Sequence, residues 1–426
     1  LYASTAQELG AARFDGGTVR QRNRTPSNVG CSDLTVVWAG YYVRVVGDRA
    51  APAPLIVNAD LEYPRGVFTP LRYRGLTQWT VQPNEFLVND VLPIAIPPDT
   101  YFYIRINVNV AAPAGNSPGI PIGLWCVDDP LEVDKGSAAD CGDNFRGHYS
   151  NLSRAHLGAN EVSTPGPVDA WLGTKFTLSF GPSAVIGTPT RRGLPTVAYV
   201  GDSICAGVGD LTALGYFRRA SIAAGDLPYF LLGHNGEQGY VYATPTGRHM
   251  REVLVGYATS VVYEYGTNDL SGPMTFEEYR ESLLVALASC GSNGAAVWVT
   301  TITPRTTSID KWTTAYGQTP ITTNPSGYNT VRLAVNAYYR APASAGPGVS
   351  LAADLARLGI RFGGVIDVAR AVETDRENTA PSSRLIEGAD RWYVPHGEVP
   401  TGDGIHPSPF IHEFVLAPLV PVREFV

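Results

Sequence analysis

The sequence has almost no lysine. Lys135, Lys175 and Lys311 are the only three, so nearly all of its 32 basic side chains are arginine, an excess that reflects a GC-rich genome more than function. Charge is sparse at 17% of residues, with a formal net of −7 and a pI of about 5.6. There is no basic stripe, so a nucleic-acid partner is not expected. No apolar run approaches the ~18 residues that a membrane span requires. The five cysteines form no CxxC pair, which removes zinc-ribbon and thioredoxin motifs. No HExxH, Walker lysine loop or GxGxxG occurs, and no metal-ligand spacing stands out, so neither a metal nor an organic cofactor is expected. There is no Gly-X-Y period and no internal repeat. Low charge with abundant Gly and Pro also argues against a coiled coil.

What the sequence does have is apolar residues (44%), 45 Gly and 33 Pro, the last two well above the usual share of about 12%. That composition excludes a disordered chain. The length of 426 residues suits two or three domains, each able to bury a core without staples. No charged-then-apolar leader follows Leu1, which bears little on export. An extracellular or virion-associated location is the expectation.

Residues 1–30 are polar and read as an irregular arm. From 32 to 182 the texture is β. The runs 34–46, 53–63, 100–110, 122–127 and 174–181 are rich in Val, Ile, Tyr and Phe and are separated by turn residues. This predicts an all-β, jelly-roll-like sandwich over 1–182. Residues 182–195 read as a linker. Beyond it, apolar runs at 196–203, 228–233, 260–266, 295–302 and 363–369 alternate with helical patterns at 211–224, 246–257, 275–289, 327–340 and 350–358. A last helix is expected after Pro407. Such alternation predicts a parallel sheet covered on both faces. The Thr- and Pro-rich stretch 303–326 reads as a loop over the carboxyl edge of that sheet, where open α/β sheets bind ligands.

Four turn motifs fall at strand ends. Gly201-Asp202-Ser203 follows the first strand and precedes a helical stretch, placing a hydroxyl near a helix N-terminus that favours developing negative charge. His234-Asn235-Gly236-Glu237-Gln238-Gly239 follows the second, where glycines let backbone N–H groups face a cleft. Gly266-Thr267-Asn268-Asp269 follows the third and offers a side-chain amide. Asp403-Gly404-Ile405-His406-Pro407 sets a carboxylate three residues from an imidazole, which can fix the ring's tautomer and support its positive charge. Singly, each is equally well a cap or an ordinary turn. Their order and their shared position at strand ends are what ordinary turns leave unexplained.

In these blocks the sequence resembles the SGNH hydrolases, the esterase superfamily also called GDSL. The resemblance covers about 195–426. It implies a three-layer α/β/α sandwich with a flavodoxin-like sheet, a catalytic domain over 195–426 and the β domain ahead of it. It also implies Ser203 as nucleophile, His406 as general base and Asp403 as its orienting carboxylate. The backbone N–H groups of Ser203 and Gly239 and the Asn268 amide would form the oxyanion hole. His234 stands where the family often has Asn, so Gly239 is the least secure of these positions. The expected activity is removal of small acyl groups, acetyl above all, with an acetylated polysaccharide as the expected substrate by analogy of architecture. A glycan-binding or virion structural protein with an inert hydrolase domain, and a lipase or thioesterase, are the alternatives.

Several other features compete for attention. Gly115-Asn116-Ser117-Pro118-Gly119 fits G-x-S-x-G but lies among prolines and reads as a loop. Cys126 and Cys141 either close a loop by a disulfide or remain thiols, while Cys205 and Cys290 read as buried small residues. His396 and His412 flank the base and read as packing or surface residues. Sequons stand at Asn23 and Asn151. Trp312, Trp392 and Tyr393 either form a platform for a sugar ring or acyl group or simply pack loops.

Overall fold

The computed structural model describes residues 2–4, 6–7, 16–44, 46–51, 53–110, 122–124, 144–148, 178–179, 182–210, 214–225, 227–321, 327–378, 389–395 and 397–425. The chain divides into two compact units, Leu1–Arg44 with Asp48–Leu194, and Pro195–Val426 with Val45–Gly47. Cys126, Cys141, Ser117, Asn151 and His396 lie outside the described residues.

The first unit contains two antiparallel sheets packed face to face. In one, Tyr101–Val110 pairs with Gly16–Arg24 and with Leu55–Glu62, and the latter pairs in turn with Phe68–Pro70 and Gln78–Val81. In the other, Cys31–Ala39 pairs with Phe86–Val88, Leu92–Ile96 and Ala184–Pro189. Side chains alternate along a strand. Leu55, Val57, Ala59 and Leu61 therefore share a face, and with Ile104, Ile106 and Val108 they meet Leu34, Val36 and Trp38 in one buried cluster. Trp38 and Trp79 meet edge-on at its centre, 5.6 Å apart between ring centroids.

Two expectations need correction here. The arm at 1–30 is not irregular throughout, because Gly16–Arg24 is a nine-residue strand. Its sequence, GGTVRQRNR, carries no apolar alternation, and its place comes from main-chain pairing with Tyr101–Val110. The stretch 182–195 is not all linker, since Ala184–Pro189 adds a strand to the second sheet with Ala184 and Val185 fully buried. The run 34–46 is two strands that break at Gly40. Asn23 is only 4% exposed, so a glycan could not be carried there.

The second unit has a parallel sheet in the order Tyr229–Leu231, Val197–Gly201, Ser260–Glu264, Ala296–Thr300, Phe362–Ile366. Every residue of the three central strands is buried, as a sheet covered on both faces requires. One layer of helices comprises Gly239–Ala243, Pro245–Val255, Phe276–Cys290, Tyr328–Arg340 and Leu351–Arg357; the other comprises Gly215–Ala223, Val368–Val372 and the turns from Ile411 to Leu419. This is the expected three-layer arrangement. Local sequence sets the helix starts. Thr275 and Glu278 form a reciprocal capping box ahead of Phe276–Cys290. Thr244 caps Pro245–Val255, whose first residue needs no N–H donor. The helix expected after Pro407 is a π-helical turn over Ile411–Leu416 followed by a 3-10 turn. No described helix is long and apolar enough to cross a membrane.

Candidate active site

The nucleophile candidate is built by the first central strand. Val197–Gly201 runs in register with Ser260–Glu264, and the chain leaves it through a helical turn in which Ala206 N donates to Asp202 O and Val208 N to Ser203 O. Ser203 is 6% exposed, and its backbone N–H meets no acceptor among the described residues. The loop then passes close to the turn at 403–407. A Cβ at Gly209 would sit 2.3 Å from the Pro407 carbonyl oxygen, and φ there is +94°, so only glycine fits this approach.

That approach brings His406 Nε2 to 2.8 Å from Ser203 Oγ. On the ring's other side Nδ1 lies 2.6 Å from Asp403 Oδ2. Asp403 Oδ1 accepts from the backbone N–H groups of Ile405 and His406, each at 2.9 Å, and more loosely from the Thr401 hydroxyl at 3.3 Å. Partial burial raises the Asp403 pKa, but the His406 backbone N–H, the His406 ring and the Ile405 N–H outweigh it, and the carboxyl lies below its usual range. An ionised Asp403 holds the proton on Nδ1 and leaves Nε2 free to accept from Ser203. His412, by contrast, is fully buried. Its Nδ1 accepts from Tyr216 N at 3.2 Å and its Nε2 faces Val208 O at 3.3 Å, so it packs as a neutral ring.

The turn bearing Asp403 and His406 is gripped from outside. Gly404 has φ +80°, and a Cβ on it would collide with Thr306 O at 1.8 Å. Its carbonyl accepts from Thr306 N and from Trp392 Nε1, both at 3.1 Å. Trp312 donates to Thr306 Oγ1 at 2.9 Å and lies against Gly404. Lys311 and Trp312 both adopt φ near +58°, a costly conformation for side-chain-bearing residues, which aims the indole at this turn. Trp392 and Trp312 are thus supports of the turn, and Trp392 is fully buried.

The donor side is less open than the motifs suggest. The Asn268 amide donates to Glu237 O at 3.0 Å and, at the limit of hydrogen bonding, to Asp202 Oδ2 at 3.4 Å. The Gly239 backbone N–H donates to Asp269 Oδ2 at 2.8 Å, and Tyr240 N donates to the other oxygen. Asp269 therefore caps the helix Gly239–Ala243, and Gly239 does not present a free donor in this structure. Sequence reasoning took Asp269 only as part of a turn, and its reach across thirty residues leaves no local signal.

A second layer of charge lies behind Ser203. Asp202 and Glu264, both buried, are in hydrogen-bonding contact. Burial pushes Asp202 up to about 7, a shift opposed by the Ile204 N–H and reinforced by Asp269 and Glu237. Burial and the nearby Asp202 charge push Glu264 well up, so the pair holds a proton where isolated carboxyls would be ionised. Glu237 is paired with Arg251, both fully buried, and also accepts from Tyr265 OH at 2.7 Å. The visible signal was Glu264 itself, a carboxylate inside the apolar run SVVYEYG. Cys205 is buried and its thiol is pushed well up by that burial, which leaves Ser203 without a thiol rival. Among the described residues no cluster of His, Cys, Asp or Glu could hold a metal ion.

Three of the four motifs follow strands of the parallel sheet, while Asp403–Pro407 lies in a turn well beyond its last strand, Phe362–Ile366. The second unit carries, in order, the blocks Gly201-Asp202-Ser203, Gly239, Gly266–Asp269 and Asp403–His406 that resemble the SGNH signature. No protein-family model matches the chain, and no curated protein matches it. Among solved structures it is similar to a member of the lipolytic protein G-D-S-L family from Veillonella parvula DSM 2008, at 16% identity over 53% of this chain and 94% of that one, with a TM-score of 0.33. The lipase/acylhydrolase from Enterococcus faecalis is 22% identical over 54% and 95%, with a TM-score of 0.32. The salicylyl-acyltransferase SsfX3 from a tetracycline biosynthetic pathway is 13% identical over 96% and 83%, also at 0.32. Likenesses this distant decide nothing about chemistry, which rests on the geometry above.

Proposed function

We propose that the chain is a serine ester hydrolase acting on small acyl esters, acetyl esters of carbohydrate foremost. The observation that carries this reading is the continuous chain Ser203 Oγ, His406 Nε2, His406 Nδ1, Asp403 Oδ2, at 2.8 and 2.6 Å. Ser203 Oγ attacks the ester carbonyl as its proton passes to His406 Nε2. The resulting tetrahedral oxyanion is met by the Ser203 backbone N–H and the Asn268 amide, which turns from Glu237 O to do so. His406 returns the proton to the leaving alcohol. Water, deprotonated by the same nitrogen, then releases the acid from the acyl-enzyme. Gly239 joins the hole only where substrate displaces its N–H from Asp269.

The test is hydrolysis of p-nitrophenyl acetate. Ser203→Ala should lower kcat by at least about 10⁴. Equal rates in the two proteins would end the assignment. The engaged Gly239 N–H favours one alternative, a binding protein whose hydrolase fold is idle. Under that reading wild type shows no turnover above the Ser203→Ala background.

A further inference from the structure

Residues 313–316, 376–378 and 393–394 border an open cavity of about 540 Å³, lined among others by Thr313, Thr314, Tyr316, Arg376, Glu377 and Tyr393. Two of its lining residues adjoin, in sequence, the supports of the turn that bears His406. Thr313 follows Trp312 directly and Tyr393 follows Trp392 directly, and both indoles contact Gly404 or its hydrogen-bond partners. The walls are fixed before any ligand arrives. Asn378 exchanges two hydrogen bonds with the backbone of Val394, at 3.0 and 3.1 Å. Thr314 Oγ1 donates to Asp310 at 2.5 Å and accepts from Gly317 N at 2.9 Å. Tyr316 is 65% exposed, and the Arg376 guanidinium lies over its ring at 4.1 Å from the centroid. Arg376 makes no ion pair among the described residues.

The chemistry of this lining selects its occupant. Two tyrosine rings offer flat apolar faces with polar rims, and threonine hydroxyls, a guanidinium and a carboxylate supply donors and acceptors side by side. Aliphatic lining is confined to Ala315 and Val394, too little for a long acyl chain. Arg376 and Glu377 cancel, so no net charge calls for an anion. A pyranose ring, apolar on its faces and ringed with hydroxyls, matches all three properties.

We propose that this cavity is a subsite for a neutral sugar ring of the ester's alcohol portion, with Tyr316 and Arg376 as its platform. The proposal rests on the esterase reading and assigns that site's substrate class. Both side chains are exposed, so Tyr316→Ala and Arg376→Ala should fold, which circular dichroism checks. For each variant kcat/KM is measured on p-nitrophenyl acetate and on O-acetylated xylan, glucomannan and pectin. The expected result is a ratio of neutral-glycan to p-nitrophenyl acetate kcat/KM at least about tenfold below wild type, through KM, and weaker retention of Ser203→Ala/Tyr316→Ala than of Ser203→Ala in affinity gels containing xylan. An unchanged ratio in both variants overturns the subsite, as does a wild type that cleaves p-nitrophenyl acetate but no acetylated glycan. Preference for pectin over the neutral glycans by tenfold overturns the choice of a neutral ring. Failure of the esterase reading would show separately, as Ser203→Ala matching wild type on p-nitrophenyl acetate.

Discussion

The two units place buried charge differently: the sandwich keeps Arg105 and Glu62, 2% and 1% exposed, on the sheet face opposite its apolar core, whereas the α/β unit gathers charge at its strand ends. At the centre of the sandwich lie Trp38, Trp79 and alternating aliphatic residues, and the Trp38 indole finds its partner in Asn89. At the strand ends of the α/β unit, Asp202, Glu237, Glu264, Asp269 and Arg251 are all buried within the few residues around Ser203. Burying apolar surface is favourable wherever it occurs. Burying charge is costly unless each group is paired or neutralised. The α/β unit meets that condition separately at each group: Arg251 for Glu237, a retained proton for the Asp202–Glu264 pair, and backbone N–H groups for Asp269. The contrast teaches where stability gives way to chemistry. The sandwich core is organised to exclude water, and the strand ends hold polar groups in fixed orientations near Ser203.

Four measurements would break or sharpen this contrast. The largest expected effect comes from Arg251→Leu, which strands Glu237 and should cost about 3–5 kcal/mol of stability by urea denaturation. It should also depress turnover, since the Glu237 carbonyl holds Asn268. Trp38→Ala should cost a similar amount, about 3–5 kcal/mol, while the folded fraction keeps its turnover. If both variants lose turnover equally, the contrast fails. Next, Asn268→Ala should lower kcat by about 10²–10³ with little change in Tm. Unaltered kcat would remove Asn268 from the oxyanion hole.

The third measurement uses His412, whose burial lowers its pKa from 6.5 to about 4. The unfolded chain takes up this proton below about pH 6.5 and the fold resists it, so the stability is present above that pH and is lost as pH falls towards 4. Asp202, raised to about 7, acts in the opposite sense over the same window. The comparison is therefore between wild type and His412→Asn. Wild type should lose about 3 kcal/mol more than the variant between pH 7 and pH 4. Parallel curves would contradict a neutral buried ring. The smallest effect is Thr275→Ala, which removes the capping box and should cost about 1 kcal/mol in thermal melts without altering turnover.

Legibility in the sequence followed the range of the interaction. Asp403 and His406 were readable because three residues of turn suffice to join them, and Ser203 because a strand end announces itself by an apolar run and a glycine. The alternation of strands and helices beyond residue 195 was readable for the same local reason. The partner of the Gly239 N–H was not, because it comes from Asp269 on another strand end. Gly16–Arg24 was not, because a polar strand is defined by its neighbour Tyr101–Val110 rather than by its own side chains. Ala184–Pro189 looked like a linker because Gly and Pro fill its end, yet Val185 sits in the sandwich core.

The grip on Gly404 has a consequence for anyone who would redesign this protein. The same short loop that lines the cavity also carries Thr306 and Trp312, whose contacts hold the turn bearing the base. Grafting a foreign loop to change the substrate would therefore release His406 at the same time. Libraries that vary Thr313, Thr314 and Tyr316 while leaving Thr306, Trp312 and Trp392 untouched can explore substrate choice. Wholesale loop exchange would confound altered recognition with a loosened His406.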